Sequence, residues 1–125
     1  MKYLLDTHVV IWWFANDPTL SIAAREIIAS GTNLIYVSSA SAWEIVIKKA
    51  LGKLKAPNNF EHELFHHNFE PLSITMAHAM MVENLPHHHQ DPFDRILVSQ
   101  ATVEKMSIIT RDEKIKRYDV NVIEA

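Results

Sequence analysis

Cysteine is missing from this 125-residue chain. Its absence excludes a disulfide framework, a thiolate nucleophile and a cysteine-ligated zinc site, and it fits a reducing, cytoplasmic address. Glycine is nearly as scarce, with Gly31 and Gly52 the only two. Neither G-x-G-x-x-G nor a Walker A loop can be written with them, so glycine-rich phosphate cradles are out. The G-x-S-x-G elbow goes with them. Long hydrophobic runs are lacking too. Val9–Ala15 is the longest, too short to span a bilayer, and Asp6 breaks the apolar start before a secretory h-region can form. The expectation is a soluble, cytoplasmic domain with no membrane partner. Positive charge is not in excess either, since 12 Lys and Arg face 15 Asp and Glu for a formal charge of -3. That sum alone argues against a polyanion-binding protein, although where the acids lie matters more.

What is present is ordinary globular material, 48% hydrophobic and 22% charged. The length suits one domain, residues 1–125, able to build a core without staples. Short apolar runs predict strands at Lys2–Asp6, Leu34–Val37, Phe69–Ile74, Ser107–Thr110 and Val120–Ile123. Pro71 demotes the third to an edge. Helical patterns lie between them at Thr7–Asn16, Leu20–Ser30, Ala40–Leu54, Phe60–His67, Thr75–Asn84 and Pro92–Lys105, with a short one near Asp112–Arg117. Such alternation predicts an α/β fold with a mostly parallel five-stranded sheet covered on both faces. Lys55–Asn59 and Pro86–Asp91 read as loops inside the domain.

In a parallel sheet every strand ends on one rim, and ligands bind along that rim. Four acids fall there. Asp6 ends the first strand, Glu44 follows the second, Asp112 follows the fourth, and Asp94 opens the helix leading into the fourth. Each has a plain structural explanation. Ser41-x-x-Glu44 has the form of a capping box, Asp91-Pro92-Phe93-Asp94 that of a helix start capped by Asp91, and Asp6 and Asp112 suit positive helix ends. Four together weigh differently, because two carboxylates about 4 Å apart repel by roughly 4 kcal/mol at an effective dielectric near 20. A shared pocket therefore needs protons or a divalent cation, and oxygen-only ligands suit Mg²⁺ or Mn²⁺. Setting those acids aside leaves the rest of the chain at +1 against the whole chain's -3. Lys48, Lys49, Arg95 and Arg111 are candidates for holding a phosphodiester backbone beside such a pocket. Solvated helix faces and an i,i+4 pair of Glu44 with Lys48 explain the same residues equally well.

Leu4-Leu5-Asp6-Thr7-His8, Ser41-Ala42-Trp43-Glu44, Asp91-Pro92-Phe93-Asp94-Arg95 and Thr110-Arg111-Asp112 together resemble the PIN-domain family, in particular the VapC-like toxins of type II toxin–antitoxin pairs. The resemblance covers nearly the whole chain. It implies an αβα sandwich and a metal-dependent endoribonuclease using one or two Mg²⁺ or Mn²⁺ ions and leaving 5′-phosphate and 3′-hydroxyl ends. It also implies RNA as substrate, an antitoxin whose tail covers the site, and a homodimer. Asp6, Glu44, Asp94 and Asp112 match the family's acidic quartet, with Asp6 and Asp94 as direct ligands and Asp112 completing the shell. Glu44 then holds a second ion or orients the attacking water. Thr7 and Thr110 match hydroxyl positions that support the acids, and Asp91 is an additional acid at the helix cap. Two other readings stay open: a non-catalytic RNA- or protein-binding module, and an RNA-processing nuclease without antitoxin.

The remaining features support weaker stories. Eight histidines occur, but His87-His88-His89 and the His62/His66 pair lack the further ligands of a zinc motif and read as solvated. Serine-hydrolase chemistry has no elbow. A phosphoacceptor receiver fails because no aspartate lies between Asp17 and Asp91. Val9–Ala15 is apolar on every helical face, so either a neighbouring helix or a partner covers it. Met76, Met80 and Met81 are expected in the core.

Overall fold

The computed structural model describes residues 1–125. Lys2–Leu5 forms β1, and its Tyr3, Leu4 and Leu5 are buried because strands flank it on both sides. β2 (Leu34–Ser38) and β4 (Ser107–Thr110) are those neighbours, pairing Leu4 with Tyr36 and with Ile108. β3 (Glu70–Leu72) and β5 (Val122–Glu124) close the edges. The five-stranded sheet runs β3-β2-β1-β4-β5, and all four pairings are parallel. Pro71 sits on an edge strand, where its missing donor costs no ladder bond.

Side chains alternate across the sheet, and each face has its own core. Tyr3, Leu5, Ile35, Val37 and Ile109 pack with Val9 and Val10 of α1 (Thr7–Phe14), Ala24 and Ile28 of α2 (Ile22–Ala29), and Leu64 of α4 (Phe60–His66). Leu4 and Ile108 pack on the other face with Leu97, Val98 and Ala101 of α6 (Pro92–Glu104). α3 (Ser39–Ala50) leans on α1 and α6, and α5 (Met76–Met81) lies against α6. The expected α/β architecture with helices on both faces is what the chain forms. No helix is long and apolar enough to cross a membrane.

Helix ends differ from the sequence pattern for local reasons. α3 stops at Ala50, short of the expected Leu54, because Gly52 adopts a left-handed φ of +70°. Its amide and that of Lys53 then bond back to Lys49 O and Lys48 O at 3.0 and 2.9 Å. A Cβ at Gly52 would meet nothing within 4 Å, so only backbone strain opposes a side chain there. Gly52→Ala is expected to cost about 1 kcal/mol in urea unfolding. An unchanged midpoint would mean the turn relaxes to another conformation. The helix expected over Thr75–Asn84 divides into α5 and a 3₁₀ turn at Val82–Asn84, and the one near Asp112–Arg117 is a 3₁₀ turn at Ile115–Arg117.

The surplus apolar surface of α1 is largely covered from within. Phe14 stacks on Phe69 at a centroid distance of 6.0 Å, Trp13 meets the same ring tilted at 6.4 Å, and Phe14 also meets Phe60 at 5.8 Å. Two methionines do not join the core. Met76 and Met80 are 77% and 59% exposed on α5, which is short and buries only His78.

Candidate active site

Asp6 leaves β1 with its amide still in the sheet, donating to Ile109 O at 3.0 Å. It occupies the N-cap position of α1, yet its side chain caps nothing. Instead the buried carboxylate accepts from Thr110 Oγ1 at 2.6 Å. Thr110 Oγ1 in turn accepts the Asp112 amide at 3.0 Å, so one hydroxyl at the end of β4 links two of the acids. Burial pushes the Asp6 carboxyl above its ordinary range, and the Thr110 bond only partly offsets this. Thr110→Val is expected to cost about 2 kcal/mol in urea unfolding, because a buried carboxyl loses its donor. A loss below about 0.5 kcal/mol would show that the carboxyl re-pairs elsewhere.

Glu44 reaches the rim from α3. That helix is capped by Ser38, whose hydroxyl accepts from Ala40 N at 3.0 Å. Ser41 therefore lies inside the helix and accepts from Thr7 Oγ1 at 2.9 Å, and the Ser41–Glu44 capping box does not form. Glu44 is 4% exposed. Lys48 Nζ donates to its Oε2 at 2.5 Å, while Oε1 is buried with no partner. The Lys48 ammonium is held above its usual range by that bond.

Asp94 sits in the first turn of α6, behind the expected cap: Asp91 accepts from Phe93 N at 2.8 Å, and Pro92 opens the helix. Its carboxyl is pushed up to about 8, first by burial and then by the charges of Asp6, Asp91, Asp112 and Glu44. The other three rim acids are thus all close enough to repel it. Asp112 behaves oppositely. Burial opposes its ionisation, but the Ile115 amide, His89 and the Lys114 amide outweigh that and hold it below the ordinary value. Its Oδ1 accepts the Lys114 and Ile115 amides at 2.7 and 3.1 Å, and its Oδ2 faces His89 Nε2 at 3.1 Å.

His89 was not expected here. The third of three consecutive histidines is buried, with Nε2 3.0 Å from Asp94 Oδ2. No spacing signal separates it from His87 and His88; its amide donates to Tyr118 Oη at 2.9 Å, a contact across 29 residues.

The four candidate backbone-binding cations divide into two pairs. Lys48 stands at the cluster through Glu44. Arg111 lines a cavity of about 300 Å³ with Asp6, His8, Trp12 and Asp112, its Cζ 3.8 Å above the Trp12 ring, and its guanidinium also donates to Thr19 O and Ala125 O at 3.0 and 3.1 Å. Lys49 ties down the following loop through Asn58 Oδ1 and Pro57 O at 2.6 and 3.2 Å. Arg95 holds the histidine loop, donating to Pro86 O, Val82 O and Tyr118 Oη at 2.9, 3.1 and 3.2 Å.

The donor set fits a hard divalent cation. The oxygens of Asp94 and Asp112 lie with His89 Nε2 within 4.8 Å of one another, Asp6 joins Asp112 through the Thr110 hydroxyl, Glu44 Oε1 is buried without a partner, and Asp94 resists ionising through burial and the neighbouring acids. A divalent ion answers both deficits, and oxygen ligands suit Mg²⁺ or Mn²⁺.

Comparison with known proteins bears on the family and the fold. The family model for the PIN domain matches residues 3–121. The chain is 26% identical over 118 residues to "Ribonuclease VapC22" of Mycobacterium tuberculosis, covering 92% of this chain and 90% of that protein. Its backbone is similar to VapBC2 of Rickettsia felis bound to a promoter DNA fragment, with a TM-score of 0.73, 20% identity and 98% of both chains covered. DNA-bound VapBC of Salmonella typhimurium gives a TM-score of 0.71 at 18% identity, covering 98% of this chain and 97% of that one.

Proposed function

The chain belongs to the PIN domain family, and from that premise we propose that residues 1–125 act as one domain, a cytoplasmic, metal-dependent endoribonuclease serving as the toxin of a type II pair. The observation that carries the proposal is the linkage of the acids at the rim: Asp94 and Asp112 share His89 Nε2 at 3.0 and 3.1 Å, Asp6 and Asp112 share the Thr110 hydroxyl, and Glu44 Oε1 is buried without a partner. A fold that gathers so much like charge at one rim loses stability by it, and functional sites are where such losses concentrate. The relative named as a ribonuclease and the VapBC neighbours support the reading.

Asp6, Asp94, Asp112 and Glu44 would hold one or two Mg²⁺ or Mn²⁺ ions. Such an ion, when bound, lowers the pKa of a water and neutralises charge on the scissile phosphate. The chain's own groups do the rest. Thr110 keeps Asp6 and Asp112 in register through its shared hydroxyl. Thr7 braces α1 against α3 through Ser41, and Asp91 presents Asp94 by capping α6. Lys48 on Oε2 holds the Glu44 carboxylate still, which leaves the unpartnered Oε1 to the ion. Lys48 and Arg111 flank the cluster and engage neighbouring phosphates of the RNA. An antitoxin and a second copy of the chain are the proposed protein partners.

Expression tests the reading in cells. The wild-type chain should arrest growth, Glu44→Gln should relieve the arrest, and co-expression with its antitoxin should silence it. Arrest that persists in Glu44→Gln would move the reading to a non-catalytic binding module. Metal-dependent cleavage without growth arrest would leave a nuclease of RNA processing.

A further inference from the structure

His89 stands between two of the acids with a role that four carboxylates alone do not define. Its ring is buried, with Nε2 3.0 Å from Asp94 Oδ2 and 3.1 Å from Asp112 Oδ2. The other ring nitrogen is committed, since the Asp91 amide donates to Nδ1 at 3.1 Å. A ring nitrogen that accepts an amide N–H carries no proton, so the neutral imidazole keeps its single proton on Nε2. Nε2 is therefore a donor toward the two carboxylates and has no lone pair to offer an ion. The ligand atoms of His89, Asp94 and Asp112 lie within 4.8 Å of one another, a spacing that suits a three-ligand metal site. The tautomer rules out that use of Nε2 while the Asp91 bond stands.

The ring is also fixed from outside the cluster. His89 N donates to Tyr118 Oη at 2.9 Å, and Arg95 holds the same hydroxyl at 3.2 Å while bonding Pro86 O and Val82 O. Asp112 is restrained independently by the Lys114 and Ile115 amides on its Oδ1. For Asp94, His89 is the one basic side chain within 4.0 Å.

We propose that His89 is a positioning residue: its Nε2–H joins the Asp94 carboxylate of α6 to the Asp112 carboxylate beyond β4, presetting both for a divalent ion that it does not itself bind. The proposal rests on reading the rim as a divalent-cation site. It gives the Pro86–Asp91 loop a definite task, to hold a neutral donor between the two carboxyl groups. It also keeps the ligand set all-oxygen, which favours Mg²⁺ or Mn²⁺ over ions that prefer imidazole.

Two measurements on the full chain test this with the metal alone as probe. Long-range ¹H–¹⁵N spectra of histidine-labelled protein should show His89 protonated on Nε2 and bare on Nδ1, before and after saturation with Mg²⁺. The His89→Gln spectrum assigns the signals by their loss. A bare Nε2 in the Mg²⁺-bound protein would make His89 a ligand and overturn the proposal. Calorimetric titration should find Mg²⁺ bound about tenfold or more weakly by His89→Ala. His89→Gln, whose amide offers an N–H at a similar reach, should recover most of that loss. Equal affinity in wild type and His89→Ala would overturn the positioning role while leaving the cation site intact. Wild type that binds no Mg²⁺ would overturn the site, and this proposal with it.

Discussion

Asp94→Asn is expected to lower RNA cleavage about a thousandfold while making the metal-free protein harder to unfold. The first effect follows from losing an anionic ligand at a position where bound metal contributes several kcal/mol to the transition state; about 4 kcal/mol corresponds to roughly three powers of ten. The second has the opposite sign. Asp94 titrates near 3.8 in the unfolded chain and near 8 in the folded one. Between those values the folded state binds the extra proton, so the favourable contribution is complete below about pH 4, fades as pH rises, and is gone above about pH 8. Asparagine does not titrate, so the stability gained by the variant should grow from pH 5 to pH 8. Thermal unfolding in EDTA across that window reads it. A variant that cuts normally and melts with the wild type at every pH would remove Asp94 from the site.

Mg²⁺ affinity is expected to rise about fiftyfold between pH 6 and pH 8 and to level off above that. Below pH 8 Asp94 must release a proton before it can act as a ligand, and one proton released corresponds to about tenfold in affinity per pH unit. Asp112, held below the ordinary value, stays ionised throughout and adds no slope. Calorimetry in buffers of different ionisation enthalpy should find about one proton released per ion at pH 7. A flat affinity profile with no proton release would mean that the ion binds elsewhere.

The sheet was legible because buried parallel strands are short apolar runs, Asp6 and Asp112 because they closely follow such runs, and Asp94 because a capped helix start precedes it. Side-chain partners set by tertiary contacts were not. Ser41 and Glu44 have capping-box spacing, yet Ser38 starts the helix three residues earlier, leaving Ser41 to Thr7 and Glu44 to the rim. Lys49 and Arg95 carry the same charge as Lys48 and Arg111, but only the fold decides that Lys48 pairs with Glu44 and Arg111 lines a cavity with Asp6 and Asp112, while the other two tie down loops. His89 was the largest omission. Three adjacent histidines look alike in sequence, and Tyr118, placed by the opposite core, turns the third one inward. Met76 and Met80 fit a helical stripe, but α5 turns that stripe to solvent and anchors itself through His78.

The central claim is that carboxylates gathered at one rim cut RNA by metal-assisted hydrolysis, and its most direct test is the chemistry of the ends produced. Purified chain, free of antitoxin, should be incubated with total tRNA and ribosomal RNA in Mg²⁺ or Mn²⁺, with EDTA and Asp94→Asn beside it. The account predicts fragments with 5′-phosphate and 3′-hydroxyl ends that appear only with metal and only with Asp94 intact. Fragments with 2′,3′-cyclic phosphate ends that persist in EDTA would contradict it, since they arise from attack by the RNA's own 2′-hydroxyl with no need of this site.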